Sequence, residues 1–173
     1  MLKYEELHKA LEVFRDKVIE EAKQNLLRQK KSSSGNLYKS IKGSPVKTSE
    51  NSLQFNIEMA SYATFVDKGV SGINKKYNTP YAYKDKMPPP NKLDKWIVKR
   101  GIAPRDKEGG FMSRNSIKFL IARSIYRNGI KPSLFFTKPF EKYYKNMPDE
   151  LREAFGLDIE NFLSFIAKQN MKK

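Results

Sequence analysis

The sequence predicts an α+β fold: a long N-terminal helix packed on a small antiparallel sheet, with further helices in the C-terminal half. Three observations predict it. Residues 3–31 carry apolar side chains at three- and four-residue spacing, residues 53–59 alternate strictly, and residues 113–129 return to a helical period. The order helix, strands, helices, strand, helices is not the alternation of a βαβ protein. One domain is expected over 1–148, carrying a long basic loop at 70–95, followed by a helical extension over 149–173.

In the first helix Tyr4, Leu7, Leu11, Phe14, Val18, Ala22 and Leu26 form one stripe that neither Gly nor Pro interrupts. At 1.5 Å per residue it would span roughly 40 Å, long for a domain of this size. The run SSSG (32–35) ends it. Leu37 and Ile41 fit one more helical turn, which Gly43-Ser-Pro45 breaks. Leu53, Phe55, Ile57 and Met59 then alternate with Gln54, Asn56 and Glu58, the mark of a strand with one wet face. Residues 61–66 read as a second apolar strand that ends in Asp67-Lys68-Gly69.

Residues 70–90, VSGINKKYNTPYAYKDKMPPP, show no sustained period and read as a loop. A loop this long inside a compact domain is usually functional or mobile. Three prolines lead into a short helix with Leu93, Trp96 and Ile97 on one face, closed by Gly101. Ser113 or Asn115 caps the next helix, whose expected apolar stripe is Ile117, Leu120, Ile121, Ser124 and Ile125. Arg114 and Lys118 fall on one margin of that stripe, and Arg123 and Arg127 on the other. Gly129 ends the helix. SLFFT (133–137) reads as a short strand, and Pro139 suits the first turn of a following helix. Terminal helices are expected over 151–155 and 159–166. The expected core is Leu11, Phe14, Val18, Phe55, Ile57, Phe65, Leu120 and Ile121.

Charge is distributed unevenly. The chain of 173 residues has 34 bases against 19 acids, a net +15, and residues 68–107 alone hold eleven bases and three acids. A concentrated basic region implies a polyanionic neighbour, nucleic acid or an acidic protein surface. No run of 18 apolar residues predicts a membrane span, and the N-terminus has no signal-peptide h-region.

The chemistry available to the chain is narrow. It has no cysteine, so disulfides, thiolate catalysis and cysteine-ligated metals are absent. Its single histidine, His8, neighbours polar positions of the first helix and reads as solvated. A Ser/His pair is therefore not expected, and no phosphate-cradling glycine motif occurs. Asp67-Lys68, with Glu58, is the one arrangement that a metal-dependent nuclease could use, but two carboxylates make a poor two-metal site. The turn reading is favoured: Asp67 bonds amides just ahead of it and Gly69 supplies the reversal. No catalytic residue, metal or cofactor is expected. Tyr77, Tyr81 and Tyr83 lie among lysines, which suits base stacking but suits a protein interface better; Trp96 joins them as a candidate contact.

The segments GNLYKSI, YATFVDKGV, KWIVKRGI and RNGIKPSLFFTKPF, in that order, resemble the tail-completion and head–tail joining (neck) proteins of tailed double-stranded DNA bacteriophages. Gly35, Leu37 and Ser40 match the family's first segment. Tyr62, Ala63, Phe65, Val66, Asp67 and Gly69 match the second. Gly129, Ile130, Pro132 and Phe135 match the third, with Ser133 where a proline is common. The resemblance spans roughly residues 1–145; the 70–95 loop is longer and more basic than the family core, and the terminal helices lie outside it. The resemblance implies a structural, non-enzymatic virion protein assembled in the host cytoplasm. It would form a homo-oligomeric ring of six or twelve copies around the DNA channel, between portal or adaptor and tail proteins. Lys75, Lys76, Lys84, Lys86, Arg123 and Arg127 are then the candidate bases facing passing DNA, and the 70–95 loop an assembly element ordered against neighbouring subunits. A small basic nucleic-acid-binding accessory protein is the alternative.

Overall fold

The computed structural model describes residues 4–31, 34–49 and 52–147. The expected terminal helices and the whole 149–173 extension lie outside the described residues. The elements are α1 (Tyr4–Arg28), α2 (Asn36–Ser40), β1 (Lys42–Gly43), β2 (Lys47–Ser49), β3 (Ser52–Gln54), β4 (Ile57–Glu58), α3 (Ala63–Lys68), a 3-10 turn (Pro90–Leu93), α4 (Asp94–Lys99), α5 (Arg114–Asn128) and α6 (Thr137–Lys145). The fold is α+β, with a long first helix, a small antiparallel sheet and further helices in the C-terminal half. Where the sequence suggests one domain over 1–148, the chain divides into two compact units, 1–67 with 134–173, and 68–133.

The first unit is built on α1. Its buried positions Leu11, Phe14, Val18, Ala22 and Leu26 follow the expected stripe. They meet Leu37, Ile41, Ala63, Phe135, Phe136 and Phe140 in one cluster. Aromatic rings make much of it. Phe14 sits edge-on to Phe55 at 6.2 Å and to Phe140 at 5.5 Å, and Phe140 stacks between Phe136 and Tyr144. A smaller cluster joins Leu11 to Val46 and Leu53. Such pairings add specificity to the burial of apolar area.

The hairpin departs from one continuous strand. β1 pairs with β4 and β2 with β3, both antiparallel. Between the two ladders Pro45 and Val46 stand against the single residue Phe55, a bulge. Pro45 has no N–H for the ladder, and Ser44 bridges the gap, donating its N–H to the Asn56 carbonyl and accepting from the Asn56 amide on its hydroxyl. The alternation of 53–59 survives: Gln54, Asn56 and Glu58 are exposed, while Phe55 and Ile57 are half-buried rather than core. Nor is His8 simply solvated. Its Nε2 lies 3.3 Å from the Val46 carbonyl at the bulge.

Two expected strands are not strands. Residues 61–66 form a turn and the start of α3; a run of six, SYATFV, is too short for its period to distinguish strand from helix. On a helix Ala63, Thr64 and Asp67 share the buried side and Phe65 points roughly opposite, so Phe65 is 41% exposed instead of core. SLFFT likewise contains no strand: Leu134 has φ 51° and residues 135–136 turn into α6, with Pro139 in its first turn as expected.

The second unit packs α5 on the 3-10 turn and α4. Ser113 caps α5, accepting from the Ser116 amide, and Gly129 ends it. The buried stripe is rotated from the expected one. Ile117 and Ala122 are buried and Ile121 is half-buried, whereas Leu120 is 47% exposed. Lys118 explains the rotation. It turns inward, 3.8 Å from the Asp94 carboxylate and 3.4 Å from the Asn91 side-chain oxygen, and Asp94 also faces Arg114 at 3.7 Å. One expected margin of α5 is therefore its packed side.

Candidate interaction surface

The family-like residues are mostly structural knots, each inside one unit. In the first unit, Leu37, Ala63 and Phe135 are all in the main cluster. The Ser40 hydroxyl donates to the Leu37 carbonyl and accepts from the Ala60 amide, tying α2 to the end of the hairpin. Asp67 is buried. Its Oδ1 accepts from the amides of Phe136 at 2.8 Å and Thr137 at 3.2 Å, and its Oδ2 from the Thr137 hydroxyl. The Leu134 amide donates to the Asp67 carbonyl, and Asn25 of α1 donates to the Phe135 carbonyl. Asp67 thus binds amides 69 and 70 residues away at the start of α6, not those of its own turn. A carboxylate is well placed there, because the first amides of a helix lack intrahelical acceptors.

In the second unit, 69–72 and 127–132 meet backbone to backbone. Val70 and Ile130 exchange N–H···O bonds of 2.9 and 2.7 Å. Gly129 has φ 71°, and a Cβ there would lie 2.1 Å from the Val70 carbonyl. Gly69 and Pro132 meet in the same way, with φ 74° at Gly69. The family-like segments containing Gly69, Gly129 and Pro132 are therefore one joint. Gly35, φ 78°, precedes α2 with open space around it. Tyr62 and Phe65 stay exposed.

The 70–95 loop is ordered from within. The buried Ser71 is its hub. Ser71 pairs with Ala82 in parallel fashion, its amide donating to Tyr81 O and its carbonyl accepting from Tyr83 N. Its hydroxyl donates to the Tyr77 carbonyl and accepts from the Tyr77 amide. Thr79 donates its hydroxyl to Gly69 O. The expectation that only neighbouring subunits could order this segment is thus corrected. Tyr77, Tyr81 and Tyr83 are half-buried, not free contact residues. Tyr83 packs edge-on to Tyr126 at 6.3 Å, and burial pushes its phenol above the ordinary pKa. Trp96 is exposed, with the Arg100 guanidinium 6.0 Å above its ring.

The same ties gather the candidate bases. The amides of Asn74 and Lys75 donate to Arg127 O at the end of α5, and the Tyr126 hydroxyl donates to Lys84 O. Lys75, Lys76, Lys84, Arg123 and Arg127, distant in sequence, therefore surround one helix end. Two of them have internal work: Lys75 covers the Tyr77 ring and Lys76 donates to Gly72 O. Lys86 is exposed nearby in sequence. Among the described residues, no carboxylate pairs with Lys84, Lys86, Arg123 or Arg127.

Sequence reasoning missed three things here. Ser71 and Thr137 are ordinary polar residues until their long-range partners are known. A hairpin over 104–112 went unread although Gly109-Gly110 marks its tip; there Arg105 bridges to Phe111 and stacks on its ring at 4.2 Å. Its Phe111 is 67% exposed, and Val98, Phe119 and Leu120 are exposed as well. No group of three or more His, Asp or Glu side chains converges among the described residues, and no helix among them is long and apolar enough to cross a membrane. Compared with known proteins, the chain matches no family model, no curated protein and no solved structure.

Proposed function

We propose that the protein is a non-enzymatic structural subunit of a tailed-phage head–tail connector. In this reading it forms a neck or tail-completion ring of six or twelve copies around the DNA channel of the virion, between portal or adaptor and tail proteins. The observation that carries the reading is the surface of the second unit. In 66 residues it exposes Ile73, Trp96, Val98, Phe111, Phe119 and Leu120 and carries sixteen bases against four acids. Six large apolar side chains, each more than a third exposed on one 66-residue unit, supply area that a neighbouring subunit would cover. A ring needs two different complementary patches per subunit, and a basic surface near its bore tolerates a polyanion. The family-like residues support the reading in another way: they hold joints of the fold, as residues shared across a structural family would.

Native mass spectrometry and electron microscopy of the concentrated protein test it. Rings whose mass is a sixfold or twelvefold multiple of 20.1 kDa are expected. A chain that stays monomeric at every concentration, with or without phage tail and portal proteins, overturns it. The basic balance of the second unit also favours the other reading, a small nucleic-acid-binding accessory protein; tight DNA binding by a strict monomer would select it.

A further inference from the structure

We propose that the exposed C-terminal half of α5, with Arg123 and Arg127 beside Lys84, holds the phosphate backbone of duplex DNA without reading its sequence. The inference deepens the connector reading and rests on it for its ligand, the DNA that passes through the ring. Arg123 and Arg127 are both exposed and lie one turn apart on one helix face, about 6 Å from Cβ to Cβ. The face divides along its length. Phe119 and Leu120 occupy its N-terminal half, while the C-terminal half exposes Arg123 and Arg127 beside the polar Ser124 and Asn128, with no large apolar side chain and no acid. Interface cores between proteins are depleted of charge, so the apolar half suits a protein neighbour and the basic half does not.

None of the second unit's four acids pairs with Arg123 or Arg127. Asp94 faces Arg114 and Lys118, Asp106 accepts from the Gly110 amide at a hairpin tip, Glu108 is exposed in that same hairpin, and the exposed Asp85 sits between Lys84 and Lys86 in sequence. The guanidinium groups at 123 and 127 therefore keep their hydrogen-bond donors for a ligand, and guanidinium suits phosphate oxygens. The ties at 74, 75 and 84 anchor the main chain that carries the flanking lysines to the end of α5 before any ligand arrives. Such preorganisation lowers the ordering cost of binding.

The aromatic side chains decide between duplex and single strand. Single-strand binders offer open rings for bases to stack on. Here Tyr83 packs edge-on to Tyr126, the Tyr126 hydroxyl is held by Lys84 O, and Lys75 covers Tyr77. The rings of Tyr77, Tyr83 and Tyr126 are occupied, and the open ring of Phe119 belongs to the apolar half of the face, so phosphate contact is the mode that the basic half itself offers.

The test uses the full chain and a duplex of scrambled sequence, with affinity measured as a function of salt. The double variant Arg123→Gln/Arg127→Gln is expected to bind about tenfold more weakly and to lower the salt slope by about 2, one unit per lost phosphate contact. Lys92→Gln/Lys95→Gln removes the same charge from the 3-10 turn and α4 and is expected to change neither appreciably. Equal effects of the two pairs would show a response to net charge alone and overturn the proposal. So would tighter binding to single strands than to duplex, or equal competition by polyglutamate. Oligomer mass is recorded on the same samples. Rings that ignore DNA defeat this inference alone, and salt-sensitive DNA binding without rings defeats the connector reading instead.

Discussion

The two units of this chain are held together by different physics. The first contains thirteen of the seventeen buried hydrophobic residues among those described, and all the largest fully buried side chains. Its 107 residues carry eighteen bases and fifteen acids, close to balance. The second buries only Val70, Ile97, Ile117 and Ala122, exposes six large apolar residues and holds a net +12. Its order comes from backbone pairing, glycine-enabled close approach and the Ser71 hub. The contrast separates a unit that stabilises itself from one that presents a surface. Hydrophobic burial scales with apolar area removed from water, and the second unit has removed little.

The largest effect should come from the aromatic core of the first unit. Phe14→Ala removes the ring that links α1 to both Phe55 and Phe140, and should cost roughly 3–5 kcal/mol in denaturant unfolding. Phe111→Ala, at the most exposed large apolar side chain of the second unit, should leave stability within about 0.5 kcal/mol. If the two losses proved equal, the contrast between the units would collapse.

Asp67→Ala comes next. It leaves two amides and a hydroxyl without acceptors at the start of α6, and should cost about 3 kcal/mol. An unchanged unfolding midpoint would show that water replaces the carboxylate and that the clamp is not structural. Gly129→Ala probes the second unit. It combines a positive φ with overlap on Val70 O, worth about 3 kcal/mol together. The loss should appear in the 68–133 segment, read by proteolysis there, while α1 and α6 keep their protection.

The smallest effect concerns Glu21 of α1 and Lys142 of α6, paired at 2.7 Å on the surface. The hydrogen bond from Lys142, and then that from Tyr143, holds the Glu21 carboxyl below its ordinary pKa. A lowered carboxylate pKa contributes stability above the unfolded value, about 4.3, and loses it as pH falls through the folded one. Glu21→Gln should therefore flatten the acid limb of the stability profile below about pH 4.3. Identical acid limbs would show that the pair is screened to nothing.

What could be read from the sequence follows the same division. The stripe of α1 and the alternation of 53–59 are written in side chains, because the first unit is built by burial. The capping Ser113 and the closing Gly129 were legible for local reasons. The failures concern interactions made at a distance. The turn at 61–62 and the start of α3 deliver Asp67 to amides nearly 70 residues on, and no local pattern contains that partner. The stripe of α5 rotates because Lys118 turns inward to Asp94 and Asn91. The 70–95 loop looked unsupported because its supports are main-chain groups, which every residue owns. The bases Arg123, Arg127 and Lys84 were legible as charges; their gathering around one helix end was not, since Tyr126 and Arg127 O achieve it.

Hydrogen exchange on the free, full-length chain tests the contrast most directly. Amides of α1 and α6 should exchange only through global unfolding, and those of α4 and α5 through a smaller, cheaper opening confined to the second unit. In assembled rings the protection of α4 and α5 should rise towards that of α1. If α5 in the free chain exchanges as slowly as α1, the second unit is self-sufficient and needs no neighbour, and the account is wrong.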